Sequence, residues 1–262
     1  MLYCWTTSDN FETIIRGQFP NSNITAIKNG WTNFVFLAEA EDGKFVFRFP
    51  RTKFFEAAML KEFTATKFIA DRIATPTAIQ ELRFCGQKPY TVHKYIDGEM
   101  LSVVELNQNI AEQIADYLLS LKKIKYYPQQ FARLSSFLIH LARATKNKDY
   151  DYETFVELVK LENTNELVLC HGDFNAGNVL IYGGKISAVL DYAFATISTP
   201  MADLARMCNR LPPIADMLID AYQTKSGQVV DKKSLNKLIA MWNYIDSNYI
   251  NYMRRYHPEV DV

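Results

Sequence analysis

The chain has little cysteine, no excess of either charge and no apolar run long enough to cross a membrane. Its four cysteines are far apart and form no C-x-x-C pair: Cys4, Cys85, Cys170 and Cys208. This spacing argues against a zinc site or a disulfide framework and favours a reducing, cytoplasmic setting. Lysine plus arginine and aspartate plus glutamate both number 29, so no basic field favours binding to nucleic acid or to a membrane surface. Residues 1–7 show no secretion-signal pattern.

The pattern of apolar residues changes along the chain. Residues 24–49 alternate or run apolar in three short segments, separated by the turn signals Asn29-Gly30 and Asp42-Gly43. This predicts a three-stranded antiparallel meander. A helix is predicted at about 54–71, and from Leu101 onward the periodicity is helical. With 262 residues and 48% hydrophobic content, the chain can bury a large core as one two-lobed unit or two small domains.

Polar side chains concentrate in one short loop between two apolar segments. The loop reads His171-x-Asp173-x-x-x-x-Asn178, and a further apolar segment soon delivers Asp191. A phosphoryl-transfer loop needs such a set: one carboxylate to orient the acceptor hydroxyl, then an amide and a second carboxylate to hold Mg²⁺.

Through these residues the chain resembles the aminoglycoside phosphotransferase and choline kinase superfamily, whose fold is similar to that of protein kinases. His171-Gly172-Asp173 stands where protein kinases have His-Arg-Asp, and Asp191-Tyr192-Ala193 stands where they have Asp-Phe-Gly. The resemblance implies a protein-kinase-like α+β fold with two lobes. Residues 1–97 would form a nucleotide-binding lobe with a small antiparallel sheet and one helix. Residues 98–262 would form a larger, mainly helical lobe for catalysis and substrate binding.

The resemblance also implies roles for the loop residues. Asp173 would orient the acceptor hydroxyl and take its proton, while His171 would brace the loop. Asn178 and Asp191 would hold Mg²⁺, with ATP or GTP as phosphoryl donor. Gly172 favours a small-molecule kinase, because the arginine of protein kinases at this position commonly couples the loop to a phosphorylated activation segment. Asp203 matches a family aspartate that braces the catalytic loop.

The third predicted strand carries the cation expected to meet the phosphates. Its alternation puts Phe45, Phe47 and Phe49 on one face and Arg48 on the other, and Arg48 matches the position of the kinase strand lysine. Glu56 matches the helix glutamate that pairs with this cation, and Glu62 is the runner-up. An acid in the first turn of a helix is also favoured by the helix dipole, whatever its role.

Two further nucleotide contacts follow from position in the family pattern. The turn from Asn29 to Asn33 lies where the family has its nucleotide-covering loop, but with one glycine it is equally well an ordinary hairpin. Asn33 is the predicted contact there. The segment 90–99 matches the hinge between lobes, where the Lys94 carbonyl and the Ile96 amide would bind the base.

The acceptor is less constrained. An aminoglycoside calls for carboxylates, and the candidates are Asp149, Asp151, Glu153, Asp246 and Glu259. A choline- or ethanolamine-type kinase calls for aromatic faces, and the predicted helix 234–256 carries an aromatic stripe that is more often core packing: Ile245, Tyr249, Tyr252 and Tyr256. A third possibility is an inactive nucleotide-binding regulator. The expected partners are a nucleotide and a small hydroxyl acceptor, without nucleic acid or membrane, in a monomer or weak dimer.

Overall fold

The computed structural model describes residues 5–6, 9–27, 32–73, 78, 80–124, 131–145, 152–164, 166–256 and 258. The strands are β1 Asn23–Ile27, β2 Asn33–Ala40, β3 Gly43–Pro50, β4 Glu81–Cys85, β5 Lys88–Lys94, β6 Glu99–Met100, β7 Val168–Cys170, β8 Val179–Tyr182, β9 Lys185–Val189 and β10 Thr196–Ser198. The α-helices are α1 Phe11–Arg16, α2 Lys53–Ala70, α3 Gln108–Lys122, α4 Leu134–Thr145, α5 Tyr152–Thr164, α6 Met201–Arg210, α7 Ala215–Ser226 and α8 Lys232–Tyr256. Among these helices, none is long and apolar enough to cross a membrane.

The first half of the chain forms an antiparallel sheet with the strand order β1-β2-β3-β5-β4. The predicted meander is therefore confirmed, extended by β5 and β4. Phe47 and Phe49 are buried on the outer face, where Trp5 and α1 cover them. Because side chains alternate along a strand, Arg48 lies on the opposite, inner face of β3, as predicted.

Helix α2 is anchored to the larger part of the molecule. It begins at the cap residue Thr52, whose hydroxyl accepts a hydrogen bond from the Phe55 amide. Near its start Phe55 packs with Met253 of α8, and near its end Ala65 and Ile69 belong to the large helical core. The sheet is therefore covered by α1 on its outer face, while α2 joins the core on the other side.

The second half of the chain is mainly helical. Helices α3, α6, α7 and α8 contribute buried apolar residues to one core, together with the short strands β7 to β9. Strands β7 and β10 pair with each other, and β6, β8 and β9 form a small sheet. The predicted α+β architecture, a small antiparallel sheet followed by a larger helical part, is confirmed. The loop 171–178 connects β7 to β8, so both of its ends are fixed by buried strands.

Candidate active site

His171 is held inside the loop by both of its ring nitrogens. Its Nε2 donates to the carbonyl of Leu190 at 2.8 Å, and its Nδ1 accepts from the Asp173 amide at 3.2 Å. The ring is 0% exposed. Because both nitrogens are occupied by the backbone, a neutral ring protonated on Nε2 satisfies this arrangement. These contacts support the interpretation of His171 as a brace of the loop.

Asp203 fixes the start of the same loop from α6. Its Oδ2 accepts from the His171 amide at 2.6 Å, and its Oδ1 accepts from the Gly172 amide at 3.0 Å. Burial raises the pKa of the Asp203 carboxyl, although the two amide hydrogen bonds act in the opposite direction. Both contacts support the predicted bracing role.

Gly172 is packed directly against the segment that follows Asp191. Its φ is +79°, and a Cβ atom there would lie 1.9 Å from the carbonyl oxygen of Phe194. Both the left-handed backbone and the contact exclude a side chain at this position. The departure from the protein-kinase arginine is therefore a requirement of local packing as well.

The Asp173 carboxylate is clamped by a buried arginine. Arg206, 5% exposed, lies one helical turn after Asp203. Its Nε and Nη2 donate to Asp173 Oδ1 at 2.9 and 2.7 Å, and its Nη1 donates to both carboxylate oxygens of Asp246 at 2.8 Å. Although burial lowers the pKa of Arg206, the charges of Asp173 and Asp246 raise it overall. Oδ2 of Asp173, with a longer 3.3 Å contact from Asn178 Nδ2, remains available to a ligand.

Replacing Arg206 with glutamine is expected to lower kcat by about tenfold to a hundredfold, because a misplaced reacting group sacrifices much of the benefit of positioning. The KM for the nucleotide that the family resemblance implies is expected to change little, because the described hydrogen bonds of Arg206 go to Asp173 and Asp246. Arg206→Lys is expected to recover only part of the activity, because an ammonium lacks the planar fork that reaches both carboxylates. Steady-state kinetics test this, and an unchanged kcat would contradict the clamp.

Asn178 and Asp191 meet across the hairpin of β8 and β9. The Leu190 amide donates to the Asn178 carbonyl at 2.8 Å, which sets Asp191 beside Asn178. The Asn178 Nδ2 donates to the Asp173 carbonyl, so its Oδ1 is free to act as a ligand. Burial and the nearby Glu62 raise the pKa of Asp191, with Arg48 acting against them. A partly buried carboxylate and an amide oxygen are ligand types that suit Mg²⁺.

A cleft of 360 Å³ lies beneath the inner face of the sheet and reaches these residues. We call it the sheet cleft. Residues of the sheet, of the segment after β5 and of the loop line it, among them Val46, Arg48, His93, Ile96, Asn178 and Asp191. Its volume is in the range of small-molecule sites.

Arg48 is ion-paired within this cleft. Its Nη1 lies 2.6 Å from Oε1 of Glu62, and the Gln80 Nε2 donates to the same oxygen at 2.7 Å. Burial lowers the pKa of Arg48, but the charges of Glu62 and Asp191 outweigh this effect and raise the pKa.

The prediction that Glu56 pairs with Arg48 is wrong, because Glu56 pairs with Lys53 at 2.7 Å. Glu56 lies in the first turn of α2, whereas Glu62 is one and a half turns further along, at the level of β3.

Lys94 and Ile96, the two residues predicted to bind the base, lie at the end of β5 and just after it. Ile96 lines the sheet cleft, and Lys94 ends β5. The Lys94 carbonyl accepts a hydrogen bond from Nδ1 of His93 at 2.9 Å. Burial lowers the pKa of His93 to about 4, so its ring is neutral near physiological pH. Base binding by Lys94 and Ile96 stays a prediction, and the carbonyl retains a second lone pair for it.

Two adjoining cavities of 350 and 650 Å³ lie on the other side of Asp191. We call them together the aromatic cleft, because rings form much of the wall: Phe54, Phe55, Phe137, Phe194, Trp242, Tyr249 and Tyr252. The smaller cavity meets the sheet cleft at Arg48, Glu62 and Asp191, and the larger one contains Asp173. Three residues of the predicted stripe of α8 therefore line the aromatic cleft: Ile245, Tyr249 and Tyr252.

Several predicted residues lie elsewhere. Asn33 begins β2 and lines the smaller cavity of the aromatic cleft, instead of the sheet cleft. Asp246 lies in the larger cavity, engaged by Arg206 and by Arg210. Glu153 is exposed on α5. The turn 29–30 and the acids Asp149, Asp151 and Glu259 fall outside the described residues.

Sequence reasoning missed three residues at the site: Arg206, His93 and Lys61. Arg206 follows Asp203 by three positions, which places both on one helical face, and this spacing was the available signal. His93 and Arg48 line the same cleft only because β3 pairs with β5, and no local sequence pattern indicates this pairing. Lys61 directly precedes Glu62, so its position in the cleft depends on Glu62 facing Arg48.

Together, the sheet, the sheet cleft, the braced loop and Asp191 define a protein with a protein-kinase-like phosphotransferase fold. The family model described as the phosphotransferase enzyme family matches residues 23–234, more than half of the chain. The chain belongs to this family. A search of the curated proteins finds no match.

Solved structures share the fold at low sequence identity. The GDP complex of an aminoglycoside 2'-phosphotransferase-IIIa superposes with a TM-score of 0.73 at 15% identity, covering 95% of this chain and 93% of that one. A macrolide 2'-phosphotransferase from Brachybacterium faecium gives 0.67 at 14% identity, covering 95% and 96%. A ternary complex of an aminoglycoside phosphotransferase with ADP and hygromycin B gives 0.68 at 15% identity, covering 93% and 92%.

Proposed function

We propose that the protein transfers the γ-phosphoryl group of ATP or GTP to a hydroxyl group of a small molecule, with Mg²⁺. The observation that carries this proposal is the junction of the two clefts. Arg48 and Asp191 face both the sheet cleft and the aromatic cleft, and Asp173 lies in the latter. A nucleotide and an acceptor bound in the two clefts would meet at these residues.

The proposed reaction forms a bond between the acceptor oxygen and the γ-phosphorus and breaks the bond from that phosphorus to the β–γ bridging oxygen. Asp173 accepts the hydroxyl proton on Oδ2, while Arg206 holds Oδ1. Arg48, held by Glu62, binds the phosphates of the nucleotide. Asn178 and Asp191 would hold Mg²⁺, which supplies charge neutralisation on the phosphates. The products are a phosphate ester and a nucleoside diphosphate.

Two observations support nucleotide as the donor. The sheet cleft is lined by the apolar side chain of Val46, which suits a nucleotide base, and by the cation Arg48, which suits the phosphates. Structures that share the fold contain GDP or ADP. On this basis we assign residues 1–97 to the nucleotide lobe and 98–262 to the catalytic and acceptor lobe.

The proposed acceptor is a small molecule, because Gly172 and the segment 192–203 leave no counterpart of an activation loop. Aromatic faces of Tyr249 and Tyr252 favour a choline-type acceptor as the second candidate. The retained set Asp173, Asn178 and Asp191 speaks against an inactive regulator.

The test is Mg²⁺-dependent transfer of labelled γ-phosphate from ATP and from GTP to a panel of hydroxyl compounds. The panel holds aminoglycosides, macrolides, choline, ethanolamine, small sugars and hydroxy acids. A labelled product that requires Mg²⁺ is expected with one class of acceptor. Nucleotide binding without transfer to any compound would favour the regulator, and absence of nucleotide binding would overturn the proposal.

A further inference from the structure

Lys61 is a cation of the aromatic cleft. It lies on α2 next to Glu62, and its partly buried side chain lines both cavities of that cleft. The lining of the sheet cleft does not include it. Glu62 faces Arg48 at the junction of the two clefts, whereas Lys61 extends along the aromatic cleft to the larger cavity that holds Asp173.

Lys61 has no ion-pair or hydrogen-bond partner among the described residues. Three of the four carboxylates in the described lining of its cleft are held by arginines. Arg206 holds Asp173, and both Arg206 and Arg210 hold Asp246. At the junction with the sheet cleft Arg48 holds Glu62, and the fourth carboxylate, Asp191, lies at that same junction. Burial alone lowers the pKa of Lys61 to about 8, which is the expected effect of desolvation without a compensating carboxylate.

The surroundings of Lys61 are largely apolar. Phe137, Phe194 and Tyr249 line both cavities with it. An unpaired ammonium in such a wall costs free energy that an apolar side chain would avoid. The smaller cavity also holds a buried amide without a full set of partners: Oδ1 of Asn33 has no hydrogen-bond partner among the described residues, and Asn33 is 5% exposed. The ammonium of Lys61 can donate hydrogen bonds to a ligand, and Oδ1 of Asn33 can accept one from a donor group of the ligand.

We propose that Lys61 binds an oxyanion group of the acceptor, a carboxylate or a phosphate, while the apolar part of the acceptor packs against Phe137, Phe194 and Tyr249. This inference rests on the proposed function and narrows its acceptor. The described lining of the larger cavity carries three cations, Lys61, Arg206 and Arg210, against the two carboxylates Asp173 and Asp246. This excess of positive charge opposes a polycation such as an aminoglycoside. It also opposes a quaternary ammonium group beside the tyrosines, since that group would lie close to a like charge.

The test measures binding of matched probes that carry one ring and one hydroxyl and differ in charge. They are para-(hydroxymethyl)benzoate and the corresponding phosphonate as anions, para-(hydroxymethyl)benzamide as the neutral probe, and para-(hydroxymethyl)benzylamine as the cation. Binding to the full chain with Mg²⁺ and a non-hydrolysable ATP analogue is followed by calorimetry. At least one anion is expected to bind about tenfold or more tightly than the amide, as a charged hydrogen bond provides.

The preference is expected to disappear in Lys61→Gln and Lys61→Met and to persist in Lys67→Gln, a matched change at an exposed position of α2. Anions that bind no better than the amide, or a preference that survives in Lys61→Gln, would overturn the inference. So would weaker binding of the ATP analogue in Lys61→Gln with unchanged probe affinities, because Lys61 would then serve the nucleotide. Absence of phosphoryl transfer would count against the proposed function alone, since these measurements need no turnover.

Stability gives an independent readout. Because the folded pKa of Lys61, about 8, lies below its ordinary value of 10.5, the charged form destabilises the fold at neutral pH. This cost has its full size below about pH 8 and fades as the pH rises from there to the unfolded pKa. Lys61→Met is therefore expected to raise Tm at neutral pH while it loses the anion. A lower Tm would show a structural role for the ammonium and contradict the inference.

Discussion

Replacing Asp173 with asparagine is expected to lower kcat by about a thousandfold, within the range for loss of a general base. The amide can still accept a hydrogen bond from Arg206, but it cannot take the hydroxyl proton. Because Asp173 does not line the sheet cleft, the affinity for the nucleotide is expected to stay the same. The measurement combines steady-state kinetics with nucleotide titration.

The control for this change is Asp220→Asn. Asp220 is exposed on α7 and distant from the loop in sequence, so the same chemical change there is expected to leave kcat unaltered. A variant Asp173→Asn that retained most of its kcat would remove the proposed base from the mechanism. Similar circular dichroism spectra of the two variants would show that the loss is chemical.

Replacing Glu62 with glutamine is expected to lower the free energy of unfolding by about 3 kcal/mol, because it leaves the buried Arg48 without its counter-charge. The side chain of Glu62 is 2% exposed and that of Arg48 15%, so water replaces little of the lost interaction. Arg48 also loses its fixed orientation, so the affinity for the nucleotide is expected to fall as well. Urea unfolding and nucleotide titration measure the two effects.

Glu56→Gln is the matched control on the same helix. Its ion pair with Lys53 is close to the surface, where such pairs contribute about 1 kcal/mol or less. A small effect on unfolding and on nucleotide affinity is therefore expected. Equal effects of the two changes would mean that Arg48 is not held by Glu62 in solution.

The two glutamates show what the sequence could and could not predict. The loop from His171 to Asp191 was predictable because short strands and a hairpin bring those residues together through nearby pairing. The face of Arg48 followed from the alternation along β3. The partner of Arg48, however, depends on how far α2 advances before it crosses β3, and the favourable position of an acid in the first turn gave Glu56 a misleading match.

Contacts between distant elements were equally beyond the local patterns. Asp246 was considered as a ligand for a cationic acceptor, but Arg206 engages it, and this pairing depends on how α6 packs against α8. The aromatic stripe of α8 was interpreted mainly as core packing, with a cation-binding surface as the alternative, yet Tyr249 and Tyr252 border a cavity whose other walls include residues of α2 and α4. The covering of the sheet by Trp5 likewise required the tertiary structure, since no periodicity links residue 5 to β3.

The attachment of α2 has a mechanical consequence. Its apolar face is packed into the helical core at Ala65 and Ile69, and Phe55 is packed on Met253, whereas Arg48 belongs to the sheet. A rotation that widened the sheet cleft would move the sheet away from a helix that stays with α8. The Arg48–Glu62 pair and the hydrogen bond from Gln80 to Glu62 both connect α2 to the side of the sheet, so such a rotation would have to break these two bonds to Glu62.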